Sequence, residues 1–178
     1  NSGHSEIPNR KVSMKLPSVL IGPMGVGKTT IGKKLAKALE LPFIDTDAVI
    51  TTNYGSPSEI FQTKGEAAFR VIEEQVVAEA LTTDSVIATG GGTVLSGNTQ
   101  RKLRAATVVY LSTDGKRIRS RLIGGNRPLL KNGFDDWKRI YEERKPLYEA
   151  LSSIEIDVSR SSLKETIAEI VHRLQTNE

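Results

Sequence analysis

The octapeptide Gly22-Pro23-Met24-Gly25-Val26-Gly27-Lys28-Thr29 follows the apolar run Ser18-Val19-Leu20-Ile21 and leads straight into an amphipathic stretch at 30–39. A strand, a glycine loop and a helix in that order admit few folds. Glycines let the loop turn sharply and bring its backbone close to a bound group. Successive N–H groups and the positive end of the following helix then converge on one point, a geometry suited to a polyphosphate. In this pattern Lys28 reaches the β- and γ-phosphates and the Thr29 hydroxyl holds Mg²⁺. Without its flanks the same stretch would be a glycine-rich turn beside a surface lysine. The flanks favour the nucleotide reading.

The rest of the chain extends the alternation. Residues 42–45 read as a short second strand and 85–89 as a buried one. Residues 107–111 are the most β-prone run and read as a central strand, and 154–158 form the last one. Between them lie helical patterns. Ser56-Pro57-Ser58-Glu59 is a capping box with proline at the first helical position, and a longer helix at 66–81 carries Phe69, Ile72, Val76 and Ala80 on one side. A helix ends near 101–104, 115–122 reads as a basic helix, and 135–150 as a helix bent or interrupted near Pro146. Ser162-Leu163-Lys164-Glu165 caps a final helix through Leu174. Strands and helices alternating in this way predict an α/β fold, a three-layer α/β/α phosphate-loop domain with a central parallel sheet. Ligands should sit at the carboxyl ends of its strands.

A length of 178 residues suits one domain, here 17–178, with a short lid at about 121–133. Residues 1–16 read as a disordered tail or an artificial extension. That tail holds half of the net charge of +4, so the body is only mildly basic. This balance suits a small anionic substrate. Nucleic-acid binding also wants aromatic stacking platforms, and aromatic residues are only 5%. The chain lacks cysteine, which excludes disulfides and thiolate metal sites, and no apolar run approaches the roughly 20 residues of a membrane span. A cytoplasmic monomer without nucleic-acid or membrane partners is the expectation.

The unusual residues fall where ligands are expected. Asp45 and Asp47 end the second strand, and on an extended chain they point the same way. One would serve the metal shell and one an acceptor hydroxyl; alternatively, one of them caps the next helix. Gly90-Gly91-Gly92 permits close approach of backbone to a ligand, and Thr89 before it would reach a water on the metal. Arg70 has Glu73 three residues on, within reach on a helix. Arg70, Arg127 and Arg144 suit a carboxylate or a transferring phosphoryl group. Arg121 and Arg127 on a closing loop would exclude water. His4 and His172 read as solvated, and Trp137 as packing.

In this order the pieces resemble the shikimate kinases. The likeness spans about 16–174 and rests on residues 22–32, Phe-Ile-Asp-Thr-Asp (43–47) and Glu-Ile-Phe-x-x-x-Gly-Glu-x-x-Phe-Arg-x-x-Glu (59–73). It continues through Thr-Gly-Gly-Gly (89–92), Arg-Pro-Leu-Leu (127–130) and Arg-Lys-Pro-Leu-Tyr (144–148). The resemblance implies ATP- and Mg²⁺-dependent phosphorylation of the 3-hydroxyl of shikimate, in aromatic amino-acid biosynthesis. It assigns Lys28, Asp47 and Arg127 to catalysis. Gly25, Val26, Gly27, Lys28, Thr29 and Thr30 would bind ATP together with Arg121, Arg127 and Arg160. Asp47, Arg70, Glu73, Gly91, Gly92 and Arg144 would bind shikimate. Thr29 would bind Mg²⁺ directly and Asp45 through water.

The chain departs from the family at four places. Thr51 replaces a frequent glutamate, and the lid is about one residue short at Arg121. The loop after the last strand lacks a frequent proline, and Arg160 stands one position from an expected ATP contact. Other readings of the loop are a gluconate or nucleoside monophosphate kinase, or a silent nucleotide-binding relative.

Overall fold

The computed structural model describes residues 15–122 and 129–176. Its sheet has five parallel strands in the order β2-β3-β1-β4-β5, formed by Ser18–Ile21 (β1), Phe43–Asp45 (β2), Val86–Ala88 (β3), Thr107–Ser112 (β4) and Ile154–Asp157 (β5). β1 occupies the centre and is buried along its whole length. Strand pleating sends alternate side chains to opposite faces. Val19, Ile21, Val108 and Tyr110 therefore enter one apolar layer, whereas Leu20, Val109 and Leu111 enter the other.

Eight helices among the described residues cover the sheet and its edge: Lys28–Leu39 (α1), Thr46–Tyr54 (α2), Pro57–Lys64 (α3), Glu66–Ala80 (α4), Gly97–Leu103 (α5), Ile118–Arg121 (α6), Phe134–Leu151 (α7) and Leu163–Thr176 (α8). Ile31 and Leu35 of α1 meet Ile170 and Leu174 of α8 on one face. On the other, Trp137, Tyr141 and Tyr148 of α7 pack with Ala80 and Leu103. A separate cluster of Ile50, Ile60, Phe69 and Val76 joins α2, α3 and α4.

Both serine N-caps form: Ser56 Oγ accepts from Glu59 N and Ser162 Oγ from Glu165 N, each satisfying an otherwise orphaned N–H. Lys15 lies within the described chain, its carbonyl accepting from Thr107 Oγ1 at 2.7 Å.

Three local expectations change. The chain does not stay extended from Asp45 to Asp47. Asp45 Oδ1 accepts from Ala48 N at 3.2 Å, so α2 starts at Thr46 and Asp47 lies in its first turn. The basic helix at 115–122 shrinks to α6. There the Thr113 and Asp114 side chains accept from Gly115 N and Lys116 N, which favours a turn over helix at those residues. Helix α7 runs through Pro146 without a break in its assignment. Pro146 and Glu142 are both exposed, so the carbonyl that loses its N–H partner can face water.

Every strand delivers its carboxyl end to one side of the sheet. Gly22 begins the turn after β1 at φ 148°, and a Cβ there would lie 2.6 Å from the Leu111 carbonyl oxygen on β4. Backbone cannot yield as a side chain can. Gly22→Ala is expected to cost about 2–4 kcal/mol, read as a lowered urea midpoint at neutral pH. An unchanged midpoint would refute this close-approach account.

Candidate active site

Three side chains donate to the carbonyls of the phosphate loop, one from within it and two from outside. Lys28 Nζ donates to Gly22 O at 2.7 Å and Pro23 O at 2.8 Å. Trp137 Nε1 donates to Met24 O at 2.7 Å, and Arg121 Nη1 to Gly25 O at 2.6 Å. A trans peptide unit is planar, so each carbonyl's direction sets the next N–H pointing the opposite way. Gly25 at φ 82° and Gly27 at φ 101° adopt the conformations that complete this turn at low steric strain. Beyond it, the first N–H groups of α1 have no intrahelical acceptor, so they remain available to an anion.

Burial lowers the pKa of Lys28 to about 8, against the opposing pull of Asp47 and Asp45. Asp47 moves the other way, to about 6. Burial is the main cause, reinforced by Glu73 and Asp45 and opposed by Lys28 and Arg70. Thr29 Oγ1 donates to Asp45 Oδ2 at 2.6 Å, so the loop's hydroxyl and the end of β2 share one small space. Thr29 and Asp45 offer two oxygen ligands, and no cluster of three metal-binding side chains occurs among the described residues. That sparse set fits Mg²⁺, which keeps several waters and takes phosphate oxygens.

The glycine turn after β3 is crowded by the acceptor-side residues. A Cβ at Gly90 would lie 3.0 Å from Glu73 Oε2 and 3.1 Å from Asp47 Oδ1. At Gly91 it would lie 3.6 Å from Arg144 Nη1, and at Gly92 it would run into the Arg70 guanidinium. Arg70 Nη1 donates to Glu73 Oε1 at 2.8 Å, which fixes the arginine against a buried carboxylate. The helical pair read from sequence does form. Thr89 uses its hydroxyl differently from the water-binding expectation, donating to Leu20 O at 2.8 Å, although it still lines the cleft.

Two adjoining cavities share Gly25, Gly27 and Thr30. One of about 290 Å³ is lined by Lys28, Thr29, Asp45, Asp47, Gly90 and Gly91. The other, about 560 Å³, is bounded by Val26, Arg117, Arg121, Ser159, Ser161 and Ser162, among others, and is roomy enough for a nucleoside. Arg160 is exposed between the serines that line it. Arg127 and the 123–128 portion of the expected lid lie outside the described residues.

Sequence reasoning missed Arg117 and the hydrogen bonds by which Trp137 Nε1 and Tyr148 Oη reach the Met24 and Gly91 carbonyls. Trp137 carried no motif and read as packing, whereas Tyr148 closes the Arg-Lys-Pro-Leu-Tyr run (144–148) without a role of its own being assigned there.

A protein-family model described as shikimate kinase matches residues 24–175. The chain belongs to the shikimate kinase family. The shikimate kinase of Rhodococcus erythropolis is 43% identical over 91% of this chain and 99% of its own length. That of Mycobacterium avium is 45% identical over 88% and 92%. Among solved structures, shikimate kinase from Acinetobacter baumannii in complex with shikimate aligns at a TM-score of 0.86 and 32% identity, covering 93% of this chain and 96% of that one. A gluconokinase from Sinorhizobium meliloti, 17% identical at a TM-score of 0.61, shares the fold. Membership makes the chain an ATP-dependent kinase. No helix among the described residues is long and apolar enough to cross a membrane.

Keeping Asp47 ionised in this setting opposes folding. At pH values above about 6 it is charged in both states, and the full penalty applies; below about 4 it is neutral in both, and the penalty vanishes. Asp47→Asn should therefore raise stability at pH 7.5 by about 1–3 kcal/mol, or roughly 2–10 °C in Tm, and much less at pH 4. Equal or lower stability at pH 7.5 would contradict the buried-charge account.

Proposed function

We propose that the chain transfers the γ-phosphoryl group of ATP to the 3-hydroxyl of shikimate, giving ADP and shikimate 3-phosphate. The observation that carries this reading is the placement of Asp47 beside Gly90, between the Lys28 loop and the arginines at Gly91 and Gly92. Phosphoryl transfer depends on positioning and charge stabilisation, with little covalent work for the protein.

The nucleoside occupies the larger cavity, with Arg121 beside the loop and Arg117 and the serines opposite. Arg160, exposed on the same loop, would meet ATP from outside. The phosphates lie over residues 25–30, where Lys28 offsets charge on the β- and γ-groups. Thr29 and, through water, Asp45 would hold Mg²⁺, which when bound screens the phosphate charge. Arg70 and Arg144 grip the shikimate carboxylate, Glu73 steadies Arg70, and Gly91 and Gly92 present backbone to the ring. Asp47 accepts the proton of the attacking hydroxyl as the new O–P bond forms and the bond to the β-phosphate oxygen breaks. Arg127 would approach the transferring group from the lid. The reading places the reaction in a cytoplasmic monomer without nucleic-acid or membrane partners.

A coupled ADP-release assay across shikimate, gluconate and nucleoside monophosphates separates the alternatives, with turnover expected on shikimate. Turnover on gluconate or a nucleotide instead would overturn the acceptor assignment, and none on any acceptor would indicate a silent nucleotide binder. Asp47→Asn and Arg70→Ala should each lower shikimate turnover at least about 100-fold while nucleotide binding survives. Near-normal turnover in either would remove that residue from the site.

The pH profile offers a separate check. The base must be unprotonated and Lys28 protonated, so kcat/KM should fall below about pH 6 and again above about pH 8. A profile flat from pH 5 to 9 would exclude these two groups.

A further inference from the structure

Helix α7 presents Trp137, Tyr141, Arg144 and Tyr148 at spacings of four, three and four residues, which put them along one face. Its two outer members bond the backbone on both sides of the cleft. Trp137 Nε1 donates to Met24 O in the phosphate loop, and Tyr148 Oη donates to Gly91 O in the glycine turn at 2.5 Å. Those two backbone segments are neighbours: a Cβ at Gly91 would lie 3.5 Å from Met24 N.

We propose that Trp137 and Tyr148 are positioning residues that aim one backbone N–H at each substrate. The only cis peptide among the described residues precedes Pro17, so the Met24–Gly25 and Gly91–Gly92 units are trans and planar. Drawing Met24 O toward α7 turns the Gly25 N–H away from it, toward the phosphates. Drawing Gly91 O toward Tyr148 likewise turns the Gly92 N–H away from α7, toward the acceptor. Both donors have fixed polarity. An indole N–H only donates, and burial holds the Tyr148 phenol up at about 12, so it stays protonated across the working range.

The aromatic packing makes the helix a stiff support. Trp137 meets Tyr141 edge-on at 5.2 Å, and Tyr148 stacks on Tyr110 of β4 at 5.2 Å. Ring packing carries this support; the hydroxyl pair of Tyr141 and Tyr110, at 2.5 Å, touches neither turn. The spacing between donor loop and acceptor turn is thereby referred to one rigid element.

The inference rests on the proposed substrate sites, and its test is a crossed pattern of KM values. Tyr148→Phe, which removes only the hydroxyl, should raise KM for shikimate or lower kcat by about 10-fold while KM for ATP stays within 2-fold. Trp137→Phe should do the reverse, raising KM for ATP with KM for shikimate little changed. Tyr110→Phe breaks a hydroxyl pair on the sheet side of α7 and should leave all three constants unchanged. Wild-type kinetics in Tyr148→Phe would overturn the proposal, as would equal changes in both KM values or the same defect in Tyr110→Phe. If Trp137→Phe fails to fold, Tyr148→Phe and Tyr110→Phe decide alone. Lack of shikimate turnover by the wild-type chain would instead refute the acceptor reading. In that case the donor half stands or falls on whether Trp137→Phe weakens ADP binding by about 10-fold, measured by calorimetry.

Discussion

The carbonyl of Leu20 accepts from both the amide and the hydroxyl of Thr89, at 3.3 and 2.8 Å. This pair of hydrogen bonds between the ends of β1 and β3 lies two residues before Gly22 and one before Gly90. Two glycine turns thus leave the sheet side by side, one into the phosphate loop and the other beside Asp47 and Glu73. The parallel register that pairs Leu20 with Ala88 and Ile21 with Tyr110 extends the same alignment to β4. Were β3 slipped by one residue, the side chains of its short buried run would exchange faces, and the turns would separate.

The cleft so formed is charged, and its two principal ionisable groups are displaced in opposite senses. Burial makes Lys28 more acidic and Asp47 less so, which brings both toward neutrality from opposite sides. Such a pair suits a reaction that needs a positive charge over the phosphates and a proton acceptor at the hydroxyl. The same burial opposes folding, and the apolar layers on both faces of β1 supply stability against it.

Much of this organisation was legible in the chain. Loop, strand and helix order specified the parallel architecture, because apolar strands buried on both faces leave room for little else. The serine caps at Ser56 and Ser162 formed because their bonds close within four residues. The local errors also have local causes. An aspartate at a strand end is equally an N-cap, and Asp45 caps α2 while its second oxygen meets Thr29. Around Thr113 and Asp114, short side chains bonded the nearby backbone, and the expected helix began later.

By itself, then, the sequence determined the fold class, the phosphate loop and the residue types gathered at the strand ends, since motif and periodicity express short-range geometry. Only the tertiary structure decided that Trp137 and Tyr148 hold the two turns. It alone brought Arg117 and the serines after β5 together around the larger cavity and set the opposite shifts of Lys28 and Asp47. Those features depend on burial and on contacts between residues as far apart as 113 positions, as between Met24 and Trp137, and no local pattern encodes them.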